Sequence, residues 1–150
     1  KHGPVAAKIA LGDLLDGNGV RAIARVIYDS QATQRLSTIT NSIIGNHLMG
    51  VTIPANSSVT DVNYQILTQF VDGGAGTIGI TCATANDFEA DTDITGSTAG
   101  TILAGTPVGT AATMVDIGTA SCEVSVDVGG AGPTAGKAII FVEYLTTDAT

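Results

Sequence analysis

The sequence predicts an all-β fold, a β-sandwich or jelly-roll-like pair of packed sheets with an N-terminal arm. Several segments alternate apolar and polar residues with a period of two, and clusters of Gly, Pro, Asn and Asp separate them. Thr and Gly are abundant, with 21 and 19 copies, while charged residues make up only 13%. That balance favours strands joined by turns over helices laced with charge pairs. Two sheets of this kind must bury their apolar faces against each other.

At 150 residues the chain fits one domain able to bury a core without staples. The expected division is an arm or short helix over residues 1–19 and a single β-sandwich domain over residues 20–150. Apolar runs such as residues 138–142 fall far short of the ~20 residues that span a bilayer, so no membrane partner is expected. The opening Lys1-His2-Gly3-Pro4 has neither a Met nor an apolar signal stretch, as expected of a chain that is processed or begins inside a longer product.

Residues 5–16 (VAAKIALGDLLD) have a weak helical pattern that Gly12 interrupts and Gly17-Asn18-Gly19 ends. Residues 21–29 (RAIARVIYD) form the first expected strand, with Ala22, Ala24, Val26 and Tyr28 on one face. Arg21, Ile23, Arg25, Ile27 and Asp29 occupy the other, and because both faces carry apolar residues, both are expected to be covered. A polar loop over residues 30–40 leads to a short strand near residues 49–53, which Pro54-Ala55-Asn56 turns. The clearest alternation follows, with Val62, Tyr64, Ile66 and Phe70 in one phase and Leu67 as its exception. Asp72-Gly73-Gly74 supplies a turn, and residues 77–82 (TIGITC) read as the strand returning from it in a hairpin.

Residues 87–109 read as a long loop holding one short strand around residues 101–103, and another strand is expected over residues 112–117. Residues 121–128 alternate cleanly, with Cys122, Val124, Val126 and Val128 inward. Gly129-Gly130 and Pro133 turn the chain back. Residues 137–145 (KAIIFVEYL) form a nearly continuous apolar strand, the pattern of a central position covered on both faces. Cys82 and Cys122 share the apolar phase of their strands and belong to no CxxC or Cys/His cluster. They read as buried free thiols, with a single disulfide as the alternative.

Charge is distributed unevenly. Residues 1–35 hold five of the six basic residues against three Asp, whereas from Leu36 onward only Lys137 opposes eleven acids. Phosphate backbones repel so acidic a body, so no nucleic-acid partner is expected. Gly74-Ala75-Gly76-Thr77-Ile78-Gly79 matches GxGxxG but opens a β-branched strand, where a dinucleotide site needs a helix N-terminus. Asp87, Glu89, Asp91 and Asp93 offer hard oxygen ligands for Ca²⁺, yet the position that would close a calcium loop is Ile102, so they read first as a solvated acidic edge. His2 and His47 lack a partner set for acid–base chemistry, and three Tyr and three Phe supply a sugar platform thinly. No enzymatic activity, cofactor or metal is expected.

Three segments carry a family resemblance: HLMGVTIPANSSVTDVNYQILTQF at residues 47–70, GTIGI at residues 76–80 followed by TANDFEADTDI, and TAGKAIIFVEYL at residues 134–145. They resemble small virion proteins of tailed bacteriophages, in which a "GVTIPxxxxVT" strand leads to "DVxxxVxTxF", "GTIxI" and "TAGKxxxFVEY" strands. The match spans most of residues 20–145, and the N-terminal segment and the loop at residues 95–109 depart from it. The resemblance implies a capsid decoration (cement) protein or a head or tail fibre component. The partners so implied are the major capsid protein on the virion exterior and further copies of the chain, with a trimer favoured. On that footing the arm is the candidate contact, with Ile9, Leu11, Leu14 and Leu15 filling a groove and Arg21, Arg25 and Arg35 meeting acidic patches. The alternatives are a receptor- or glycan-binding module of a fibre, and a polymer in which the arm inserts as a strand into a neighbour.

Overall fold

The computed structural model describes residues 20–34, 40–82, 88–94, 96–105 and 119–146. Eight strands run in chain order: β1 (Val20–Asp29), β2 (Gly45–Ile53), β3 (Ser57–Val71), β4 (Gly76–Thr81), β5 (Glu89–Asp93), β6 (Ile102–Ala104), β7 (Cys122–Gly130) and β8 (Ala135–Thr146). They pair antiparallel into two four-stranded sheets, ordered β1-β8-β3-β6 and β2-β7-β4-β5. Among the described residues there is no helix. The architecture is the expected β-sandwich, and its strand order is jelly-roll-like: the chain changes sheet at every step except β4 to β5. The expected strand over residues 112–117 and the arm over residues 1–19 lie outside the described residues.

Period-two patterning explains the layers. In β7, Val124, Val126 and Val128 are fully buried, and in β8 the inward row is Ala138, Ile140 and Val142. Fully burying each Val or Ile is worth roughly 1.5–3 kcal/mol, so these rows dominate the core. The late strand β8 lies between β1 and β3, in continuous register from Val20 opposite Thr146 to Asp29 opposite Lys137 on the β1 side. The central placement expected from its apolar run is therefore correct. Covering on both faces is only partial, because Ile139 is buried while Phe141 is half-buried and Leu145 is exposed.

The register of β3 against β8 shifts between Ile66 and Thr68 and again between Thr68 and Val71, and Thr68 is exposed although it falls in the inward phase. Leu67 lies in the outward phase with Asn63 and Gln65, while Phe70 keeps the phase of Val62, Tyr64 and Ile66 and lies in the core. There Phe70 stacks on Tyr28, with ring centroids 6.1 Å apart and planes 14° from parallel. The Tyr28 hydroxyl donates to the Asn41 carbonyl at 2.8 Å, which satisfies the polar end of a ring with no exposed surface. Burial pushes the Tyr28 phenol well above its ordinary pKa, and Asp29 adds to the shift.

Two expectations need correction. The turn at Asp72-Gly73-Gly74 does not close a hairpin, because β3 and β4 belong to different sheets. The Asp72 carboxylate accepts the backbone N–H groups of Gly74 at 2.7 Å and Gly76 at 2.8 Å, and so fixes a crossing between layers. Gly129-Gly130 still pairs with β4 inside β7, and residues 131–134 carry the chain from there to β8 in the other sheet. Turn chemistry specifies a reversal but not which sheet receives the next strand. The second correction concerns the thiols: Cys82 and Cys122 are joined in a disulfide, with Cα atoms 5.7 Å apart, inside the usual range for that bond. Both residues sit where their strands meet the ends of the sheet and are half-buried, so the shared phase brings the sulfurs together instead of hiding each in the core.

Two predictions follow from this packing. Gly136 has φ +139°, and a Cβ there would enter the Phe70 ring, whereas Gly100 has φ +88° with open space around it. Gly136→Ala should therefore cost about 1–3 kcal/mol more than Gly100→Ala in denaturant unfolding, the excess being overpacking against Phe70. Replacing both cysteines by Ala, which removes a cross-link between positions 40 residues apart, should lower stability by about 2–4 kcal/mol. Thiol counting by mass spectrometry should find neither sulfur free in the oxidised protein.

Candidate docking surface

The outward face of the β1-β8-β3-β6 sheet is the most unusual surface among the described residues. The registers place its side chains in rows across the strands: Ile27 beside Ile139, then Gln65 and Ile102; and Arg25 beside Phe141, then Asn63 and Ala104. Ile23 is 59% exposed, Ile27 47% and Ile102 71%, and the exposed Leu67 adds to the same face. Large apolar side chains gathered on one sheet face mark a surface that another molecule covers.

Charge reinforces the asymmetry. All three described Lys and Arg residues, Arg21, Arg25 and Lys137, lie on this face, in the outward phase of β1 and β8. The outward face of the opposite sheet carries Glu123, Asp127 and Asp93. Two of the cations are engaged locally: Arg21 Nη2 lies 2.6 Å from Glu143 Oε2, and Lys137 Nζ lies 3.1 Å from Asp29 Oδ2. Arg25 has neither arrangement and stands between Ile23 and Ile27, flanked by the Phe141 ring.

The Arg21 hydrogen bond holds the Glu143 carboxyl below its ordinary pKa against the opposing push of burial, and the Thr60 hydroxyl assists by donating to Oε1 at 3.0 Å. Glu143 in turn raises Arg21. Burial pushes Asp29 upward, but the Lys137 ammonium and the Gln31 backbone N–H outweigh it, and the net shift is downward.

Of the residues singled out from the sequence, Arg21 and Arg25 lie on this face. Ile9, Leu11, Leu14, Leu15 and Arg35 lie outside the described residues. So does Asp87, while Glu89, Asp91 and Asp93 fall on β5, an extended strand at the edge of the second sheet. Among the described residues no group of three His, Cys, Asp or Glu side chains gathers to hold a metal ion. His47 is buried, its Nε2 donating to the Ile43 carbonyl at 2.6 Å and its Nδ1 accepting from the Gln34 amide, so both ring nitrogens hold the β2 approach together. The sequence argument missed Ile23, Ile27, Phe141, Leu67 and Ile102 as surface residues. The signal is the second apolar phase of residues 21–29, a pattern that implies a covered face; among the described residues nothing covers it.

Comparison places the fold. Chains with the same architecture occur in the capsid of Ralstonia phage GP4 (17% identity, 86% of each chain covered, TM-score 0.60). They also occur in the cyanophage Pam1 capsid asymmetric unit (10% identity, 87% of this chain and 86% of the other, TM-score 0.58). A third is in the acid-stable capsid of Helicobacter pylori bacteriophage KHP30 (12% identity, 84% and 87%, TM-score 0.50). No protein-family model and no curated protein matches the chain. The class thus defined is an antiparallel, two-sheet β-sandwich of a kind built into bacteriophage capsids. At these identities the shared property is the fold.

The ion pairs on this face set the acid response. A carboxylate whose folded pKa is depressed contributes stability that is complete above its unfolded value and is lost as pH falls through the folded value. Glu143 and Asp29 are both of this kind, so unfolding midpoints should fall as pH drops below 4.5, the ordinary Glu value. Glu143→Gln should show a shallower decline over that window than the parent chain, measured by thermal melts across a pH series.

Proposed function

We propose that this chain is a non-catalytic structural protein of a bacteriophage particle, a capsid decoration (cement) protein that sits on the exterior of the head and binds the major capsid protein. The observation that carries the proposal is the outward face of the β1-β8-β3-β6 sheet. It combines exposed Ile23, Ile27, Leu67 and Ile102 with an Arg25 that no described carboxylate engages, on a fold whose solved counterparts come from phage capsids. Such a face fits an apolar protein surface carrying a carboxylate opposite Arg25. A symmetric oligomer, with a trimer as the leading form, would present the face several times to a repeating lattice. Modest contacts per copy then sum to a long-lived attachment.

Nothing in this role requires bond chemistry. The chain's buried histidine is committed to the backbone and a glutamine, and on this face Glu143 and Asp29 are held by cations while Asp61 accepts from the Val62 N–H and the Asn63 amide.

Quantitative gel densitometry of purified particles should find the chain in copy numbers that scale with the capsid lattice. An Ile23→Asp/Ile27→Asp double variant, with an unchanged circular-dichroism spectrum, should bind undecorated heads at least tenfold more weakly. A handful of copies per particle would instead favour a receptor- or glycan-binding module at a fibre tip, and undiminished binding by the double variant would remove this face from the contact.

A further inference from the structure

The edge of a sheet presents unpaired backbone groups, and folds blunt the edges that are to stay unpaired. Three of the four edge strands described here are blunted. In β2 the register against β7 shifts between Leu48 and Thr52, around Gly50 at φ +74°. β5 has five residues, includes Glu89, Asp91 and Asp93, and shifts its register against β4 between Ile78 and Ile80. β6 has only three residues. β1 shares none of these features: its ten residues run along β8 without a shift, and among the described residues it pairs with β8 alone.

Hydrogen bonding fixes which backbone groups of β1 face outward from the sheet. Ser30 N–H bonds the Gly136 carbonyl at 3.0 Å, and these residues are directly opposite when the β1–β8 register is continued by one position. Antiparallel alternation then aims the backbone groups of Ala22, Ala24, Val26 and Tyr28 at β8, and those of Arg21, Ile23, Arg25 and Ile27 at the open edge. A strand added there must set its own edge-facing residues opposite these odd positions. β1 meets that condition itself when a second copy is turned about a two-fold axis through Arg25, perpendicular to the sheet. Arg21 then stands opposite Asp29 of the second copy, Ile23 opposite its Ile27, Ala22 opposite its Tyr28 and Ala24 opposite its Val26. Opposite charges meet at both ends of the outward row with apolar pairs between them, and on the inward row small side chains meet large ones. Arg25 meets its counterpart on the axis, one like-charge contact against two of opposite charge. Arg21 engages Glu143 through one nitrogen and its side chain stays 59% exposed, which leaves guanidinium surface for a second carboxylate. Centring the axis on Ile23 would oppose Arg21 to Arg25 twice, and centring it on Ile27 would pair only residues 25–29 before the turn at Ser30.

We infer that β1 is a pairing edge for a second copy of this chain: two copies join β1 to β1 in antiparallel register, Arg25 opposite Arg25, and fuse their β1-β8-β3-β6 sheets into one sheet of eight strands. The inference rests on the fold and the edge chemistry and does not depend on the capsid role. Because the axis is perpendicular to the sheet, both outward faces look the same way and can meet one surface together. For the same reason the contact links neighbouring rings docked by this face as readily as it links two free chains.

Cysteine cross-linking of the isolated chain reads the register. Opposite residues that exchange backbone hydrogen bonds have Cα atoms about 5.5 Å apart, within disulfide reach, and Cys82 and Cys122 are already bonded to each other. Arg25→Cys should therefore give a reducible dimer under mild oxidation, and so should the Ile23→Cys/Ile27→Cys double variant, while Ile23→Cys or Ile27→Cys alone should cross-link at least tenfold more slowly. Amide exchange read by NMR should slow at Ile23, Arg25 and Ile27 as protein concentration rises. Ala24, Val26 and Tyr28 should stay protected throughout and report that the sandwich is folded. Arg25→Thr removes the like-charge contact and should tighten the dimer by up to about fivefold, measured by analytical ultracentrifugation. Faster cross-linking through Ile23→Cys or Ile27→Cys alone than through Arg25→Cys would overturn the register. A chain that stays monomeric with free exchange at the odd positions would overturn the proposal. So would protection independent of concentration, which would assign the edge to the chain's own residues, or protection that arises only on assembled heads, which would assign it to a capsid strand. Loss of head binding with the dimer retained would count against the docking role alone.

Discussion

The inward row of β8 is the seam that holds both sheets. Ala138, Ile140 and Val142 lie in the middle of the sandwich, and β8 pairs along nearly its whole length with β1 on one side and β3 on the other. A side-chain period of two fixes what this seam allows: a one-residue slip on either side would exchange Ile140 for Ile139 and send the core row to the surface. The register is therefore set by burial along β8, and β1 and β3 inherit their facing from it. Where β3 departs, at Thr68, register shifts stand on either side, and Phe70 keeps the inward phase and stacks on Tyr28.

Because burial is a property of each strand's own pattern, much of the layer structure was legible in the sequence. Val124, Val126 and Val128 alternate with polar residues and are inward, and the unbroken apolar run of residues 138–142 lies at the centre of a sheet. Connectivity was less legible. Asp72-Gly73-Gly74 looks the same whether it returns a strand to its own sheet or carries it to the other, since the turn's own hydrogen bonds, from the Asp72 carboxylate to Gly74 and Gly76, are local. The destination depends on pairing with β7, about fifty residues further on. The thiols failed for a related reason. Phase places Cys82 and Cys122 on the inward side of their strands, but whether each meets the core or the other sulfur depends on which strands become neighbours.

The docking surface was half visible. Arg21 and Arg25 were picked out by charge, and the structure places both on the outward face of β1. The apolar members escaped because Ile23 and Ile27 beside Ala24 and Val26 look like a strand buried on both faces, a pattern common in parallel sheets. In an antiparallel sandwich one face of each sheet looks outward, so the second apolar phase is left exposed among the described residues. The described cations gather there: Arg21, Arg25 and Lys137 offset Asp29, Asp61 and Glu143 on one sheet face, while the other carries Glu123, Asp127 and Asp93 and no described Lys or Arg, so the two faces differ in charge.

The order of strands in the chain also has a temporal consequence. The strand that completes the first sheet is the last one synthesised, and its partners Val20 and Thr146 stand at opposite ends of the domain. At a translation rate of about 5–20 residues per second, β1 leaves the ribosome roughly 6–25 s before β8 exists to receive it. Closing such distant pairs is the slow class of folding event, on the millisecond-to-second scale even once the chain is complete. Through that interval the charges of Arg21, Arg25 and Asp29 in and beside the hydrophobic stretch of residues 22–28 oppose its self-association.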